Sequence, residues 1–90
     1  MDRTIATELL QQELALVRRR GYASLAAEVG EETTREIVGP DGKDYQISVL
    51  VVWDRDEKGP LRVIVSIDDG GLSAWKPLTI DDLIHPDAPK

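Results

Sequence analysis

The feature that most constrains this chain is a pair of alternating segments, 45–54 and 61–67. In the first, Tyr45, Ile47, Val49, Val51 and Trp53 fall on one side of a pleated strand, and Gln46, Ser48, Leu50, Val52 and Asp54 on the other. In the second, Leu61, Val63, Val65 and Ile67 oppose Arg62, Ile64 and Ser66. Strand side chains alternate with a period of two, so each segment presents one nearly unbroken apolar face. The intervening residues, 54–60, are charged and end in Gly-Pro, which reads as a loop and predicts an antiparallel pair. Setting Val51 opposite Val63 and Val49 opposite Val65 joins the two apolar faces. A slip of one residue would turn one of them to the wrong side, so the register is strongly specified.

An apolar sheet face needs a cover, and the N-terminal third can provide it. Asp2 or Thr4 is placed to cap a helix. Ile5, Leu9 and Leu16, with Ala6, Leu10 and Val17 beside them and Leu14 at the margin, make a broad apolar stripe at helical spacing. Arg18, Arg19 and Arg20 suit the negative end of a helix dipole. Gly21 interrupts the pattern, and Tyr22, Leu25, Ala26 and Val29 continue it on a rotated face. The expectation is two helices, 4–20 and 22–29, with one bent helix as the alternative.

Residues 32–38 are a weaker strand, carried by Thr33, Thr34, Ile37 and Val38. They are followed by Gly39-Pro40-Asp41-Gly42. Pro presets a type I turn and Gly accepts the left-handed position after it, so this is a hairpin signal. After Ile67, Asp68-Asp69-Gly70-Gly71 marks another turn. A short fourth strand, 72–78, is expected at an edge because of Pro77. Thr79 then reads as an N-cap, and Ile80, Leu83 and Ile84 as a short helix over 79–85, with Asp81 and Asp82 at its positive end. Residues 86–90 form a tail. The predicted fold is one α+β domain over 1–90: an N-terminal helix or helix pair (1–30) on a three- to four-stranded antiparallel meander (32–78), then a short C-terminal helix.

Ninety residues suffice for one domain with one thin core. With no Phe, the aliphatic residues must fill it, helped by Tyr22, Tyr45, Trp53 and Trp75. The chain has no cysteine, which excludes disulfides and thiol chemistry and suggests a cytoplasmic setting. No segment resembles a signal peptide or a membrane span. The formal net charge of −6 disfavours nucleic acid and anionic membrane as partners and suits a basic protein.

The second face of the sheet is where a function could lie. Leu50, Val52 and Ile64 sit there among polar neighbours. A two-residue turn after Ile67 would bring Trp75 to the same face, whereas a three-residue bulged turn would send it to the core. The set Leu50, Val52, Ile64 and Trp75 is either covered by the C-terminal segment, through Leu78, Leu83 and Ile84, or offered to a partner. For chemistry, only carboxylates are plausible. Asp54, Asp56 and Glu57 collect at one end of the central pair, and Asp41, Asp44, Asp68 and Asp69 at the other. Asp44, Asp68 and Asp69 are candidates for a hard divalent cation; the plainer reading is that Asp in turns bonds its own backbone.

His85 lies beside Pro86 with no partner in view. Ser24, Ser48, Ser66 and Ser73 lack a nucleophile-elbow context, and Gly70-Gly71 has no phosphate-loop spacing. The element order echoes a double-stranded RNA-binding domain, but Asp81 and Asp82 stand where that domain needs basic residues. The helices around Gly21 echo a helix-turn-helix, but the second carries Glu28 and no Lys or Arg.

The run Val65-Ser66-Ile67-Asp68-Asp69-Gly70-Gly71, with Pro77-Leu78-Thr79 and then Asp82-Leu83-Ile84 near Pro86, resembles a family of small uncharacterised bacterial proteins. Their shared pattern is a strand ending in Ile-Asp-Asp-Gly-Gly, followed by Pro-Leu-Thr. The resemblance covers about residues 45–86 and implies a bacterial intracellular protein. It brings no known activity, cofactor or catalytic residue. The expectation is therefore a non-enzymatic interaction module, with homodimerisation through the second face as one form. Alternatives are an acidic inhibitor or immunity-type protein of a basic enzyme, a divalent-metal enzyme, and a weak nucleic-acid binder.

Overall fold

The fold is described from a computed structural model, which places residues 1–71 and 77–86. In chain order it comprises α1 (Arg3–Arg19), α2 (Tyr22–Ala26), β1 (Glu32–Val38), β2 (Asp44–Trp53), β3 (Leu61–Asp68) and β4 (Leu78–Ile84). The four strands form one antiparallel meander in the order β1-β2-β3-β4. The α+β class is as expected, with the helices on one side of an antiparallel sheet.

Asp2 is the cap of α1: its Oδ1 accepts from the backbone N–H of Thr4 at 3.0 Å and of Ile5 at 3.1 Å. These are two of the donors that a helix start leaves unpaired. The helix ends where Gly21 takes φ +83°, a backbone conformation that costs a side-chain-bearing residue, and α2 restarts in a new direction. The two-helix reading holds. The buried side of α1 is Ala6, Leu10, Leu14 and Val17. Leu16, expected in the stripe, is 52% exposed. Two residues past Leu14 at 100° per residue, it points nearly opposite.

The central register is the one read from alternation: Val49 faces Val65 and Val51 faces Val63. The whole first face of β2 and β3 up to Val51 and Ile67 is buried. Together with α1 and Leu25 it forms the core. α1 lies over β3 and β4, and β1 is exposed at every position but Ile37.

The β1–β2 connection is the expected hairpin. Gly42 N–H donates to the Gly39 carbonyl at 2.9 Å, and Gly42 takes φ +79°. Gly39 answers a second demand, that of space. A Cβ there would lie 2.6 Å from Tyr45 Cε1, so the buried tyrosine ring requires a glycine beneath it. Tyr45 donates its hydroxyl to Asp41 Oδ2 at 2.8 Å, which ties the ring to the turn.

The C-terminal expectation is corrected. Residues 79–85 form no helix; Leu78–Ile84 is a strand paired along β3 from Ile67↔Leu78 to Leu61↔Ile84. Ile80, Leu83 and Ile84 fit a helical turn, but Leu78, Ile80 and Ile84 also alternate, and seven residues cannot separate the two periods. A helix over 79–85 would leave the edge of β3 unpaired, whereas a strand completes that edge with a full ladder. Asp82, the one charge on β4's core-facing side, is met by Arg18 of α1. The strand expected over 72–78 lies mostly outside the described residues; Pro77 comes just before β4 begins.

Candidate functional site

The pleat and the register assemble the second face row by row. Leu50 and Ile64 are directly opposed at its centre, with Glu32 at one sheet edge and Asp81 at the other. In the next row Val52 faces Arg62, and Arg62 faces Leu83. On the other side of the centre, Thr34, Ser48, Ser66 and Thr79 line up across all four strands. Thr34 and Ser48 hydroxyls lie 2.9 Å apart and those of Ser66 and Thr79 3.2 Å apart, so this row is internally hydrogen-bonded. Beyond it come Glu36, Gln46 and Asp68, and then Val38, 69% exposed, beside Asp44.

Leu50, Val52, Ile64 and Leu83 are half-buried by their own neighbours in the sheet. None of them packs against the core cluster, which draws its partly buried members from the other face. No helix lies on this side among the described residues. Of the four residues expected here, Leu50, Val52 and Ile64 do share the face. Trp75 lies outside the described residues. Leu83 joins them, which the helical reading of 79–85 concealed; the signal that could have found it is the alternation of 78–84 against the pattern of β3.

Arg62 stands in the middle of this apolar group. Its Nε donates to Asp54 Oδ1 at 3.0 Å, its Nη2 lies 2.8 Å from the same oxygen, and its Nη1 reaches Asp81 Oδ2. Hydrogen bonds to Asp54 and then to Asp81, reinforced by their charges, raise its pKa further above an already high value. The guanidinium is thus a fixed cation, consumed by two carboxylates, while its stem adds apolar surface between Val52 and Leu83.

The metal candidates are placed apart in role. Asp68 Oδ1 accepts from Gly70 N–H at 2.8 Å and Asp69 Oδ1 from Gly71 N–H at 3.1 Å, the turn bonding that Asp favours. Asp69 Oδ2 also lies 3.3 Å from the Met1 amino group. Asp44 is exposed at the start of β2. Among the described residues no three His, Asp or Glu side chains are arranged to hold a metal ion.

The hairpin carboxylate Asp41 is pushed up by partial desolvation. Hydrogen bonds from Tyr45 and from the backbone N–H of Lys43 and of Asp41 itself, with the Lys43 charge, outweigh this and hold it below the usual value. Tyr45 is pushed up to about 12, first by burial and then by its bond to Asp41. Both shifts belong to a structural contact at the turn. In the arginine run, Arg18 pairs with Asp82, and Arg20 with Glu28 at 2.7 Å.

No helix of the described residues is long and apolar enough to cross a membrane. Comparison of the chain with protein-family models, curated proteins and solved structures finds no match.

Proposed function

We propose that this chain is a small non-enzymatic protein-interaction module that works through the second face of its sheet. The observation that carries this reading is the group Leu50, Val52, Ile64 and Leu83. These four aliphatic side chains are contiguous across three strands, lie outside the core, and have no described element over them. A contiguous apolar patch with a polar rim is the mark of a protein contact surface. The rim here is the hydroxyl row on one side and carboxylates at both sheet edges.

The resemblance of the β3 end and the Pro77-Leu78-Thr79 segment to small bacterial proteins, and the cysteine-free composition, support a bacterial cytoplasmic setting. Self-association through the same face is one form the module can take. The test compares wild type with Ile64→Asp in light scattering and in quantitative affinity capture. Loss in the variant of a dimer, or of a specific protein held by wild type, is the expected result. A monomeric wild type whose retained proteins match those of Ile64→Asp overturns the proposal.

A further inference from the structure

The charge map of the second face identifies the chemistry of its partner, an inference that rests on the function just proposed. Among the described residues, Glu32, Glu36, Asp44, Asp68 and Asp81 share this face with one cation, Arg62, and Asp54 reaches it through its ion pair with that guanidinium. Arg62 is already committed to Asp54 and Asp81. Glu32, Glu36 and Asp44 are exposed and make no ion pair or side-chain hydrogen bond among the described residues. Two arginines at the end of α1 are committed elsewhere: Arg18 binds Asp82 on the first face and Arg20 binds Glu28. Around the apolar patch, carboxylates therefore outnumber cations among the described residues.

We propose that the second face docks a cationic amphipathic segment of another protein. Aliphatic anchors would sit over Leu50, Val52, Ile64 and Leu83, and Lys or Arg side chains would reach Glu32, Glu36 and Asp44. Two copies of this chain meeting through the same face would set one carboxylate rim against another, and Arg62, the cation on the described part of this face, is already paired, so the charge pattern disfavours a second copy. Strand spacing sets the span. Glu32 and Asp81 lie at opposite edges of four strands at about 4.8 Å each, so roughly 14 Å separates the carboxylates that bracket Leu50 and Ile64.

The test uses three synthetic helical peptides of equal length: one with a Leu face and Lys elsewhere, one with Glu in place of Lys, and one with Ser in place of Leu. Binding to the full chain is read by peptide fluorescence anisotropy and by amide NMR shifts. The Leu/Lys peptide should bind, shift the amides around Leu50, Val52, Ile64 and Leu83, and weaken on raising salt. The triple variant Glu32→Gln/Glu36→Gln/Asp44→Asn should weaken it about tenfold. Leu50→Ser/Ile64→Ser, which leaves net charge unchanged, should weaken it at least as much; far-UV circular dichroism confirms that both variants are folded.

Equal binding of the Leu/Lys peptide to wild type and Leu50→Ser/Ile64→Ser means attraction by bulk charge alone and overturns the inference. So does preference for the Leu/Glu peptide, or an undiminished affinity in the triple variant. A wild-type dimer that Ile64→Ser dissociates keeps the interaction face and overturns only the cationic partner. A monomer that binds none of the peptides and retains the same proteins as Ile64→Asp overturns both.

Discussion

Matched substitutions of one residue type on opposite sheet faces separate a buried face from an open one. Val65 on β3 is fully buried, opposed by Val49 and Ile80, both apolar. Val52 on β2 is half-buried on the second face beside Arg62. Val→Thr nearly conserves shape and keeps a β-branched side chain, so strand propensity drops out and the added hydroxyl is what is measured. At position 65 the hydroxyl enters a dry neighbourhood with its backbone partners already used in two ladders. An unpaired buried hydroxyl costs about 1–3 kcal/mol, so about 2 kcal/mol is expected. At position 52 water reaches the hydroxyl, and the change should stay within about 0.5 kcal/mol.

In a domain of this size 1 kcal/mol moves the melting temperature by about 4–8 °C. Val65→Thr should therefore lower Tm by about 8–16 °C, and Val52→Thr by no more than about 4 °C. Urea unfolding followed by circular dichroism, with m-values checked for constancy, gives the same comparison as free energies. Equal and large losses at both positions would mean that the second face is covered in the folded protein, and the proposed docking surface would fall. A negligible loss at position 65 would refute the placement of the core.

Gly39→Ala should cost about 1–3 kcal/mol in urea unfolding, because its Cβ would meet Tyr45 Cε1 at 2.6 Å and must displace a fully buried ring. In a Tyr22→Phe background the remaining tyrosine should ionise near about 12 by ultraviolet absorbance, against an ordinary 10.0. The folded-state pKa is the higher one, so the stability due to neutral Tyr45 is complete below pH 10 and lost as pH rises toward 12; a midpoint near 10 would refute its burial. Lys58 holds φ +69°, a left-handed conformation costing a non-glycine residue about 1–2 kcal/mol. Lys58→Gly relieves that strain against the extra chain entropy of glycine, for a net gain of up to about 1 kcal/mol in thermal melts.

Local chemistry made most of this fold readable. The β1–β2 hairpin follows from Pro40, Asp41 and Gly42, and the break between helices from Gly21, since each residue has a short-range reason to stand where it does. The β2–β3 register follows from parity alone. What could not be read depended on distant neighbours. Segment 78–84 carries an ambiguous period, and its state was decided by the open edge of β3 and by Arg18 sixty-four residues away in sequence from Asp82. Leu83 was lost from the candidate surface for the same reason. Parity did place Arg62 and Asp54 on one face, but only the arrival of Asp81 on β4 shows that the cation there is doubly consumed.

That double pairing also helps make the patch tolerable in water. Among the described residues one helical layer covers one face of the four-stranded sheet, and the other face is made tolerable to water by its own side chains. Arg62, held flat by a carboxylate on either side, interrupts the aliphatic group, and the hydroxyl row bounds it below. Carboxylates at both edges discourage self-contact by repulsion. Charges of one sign would oppose contact between two copies of this face. In the docking proposed above, the same charges would attract a partner of the opposite sign.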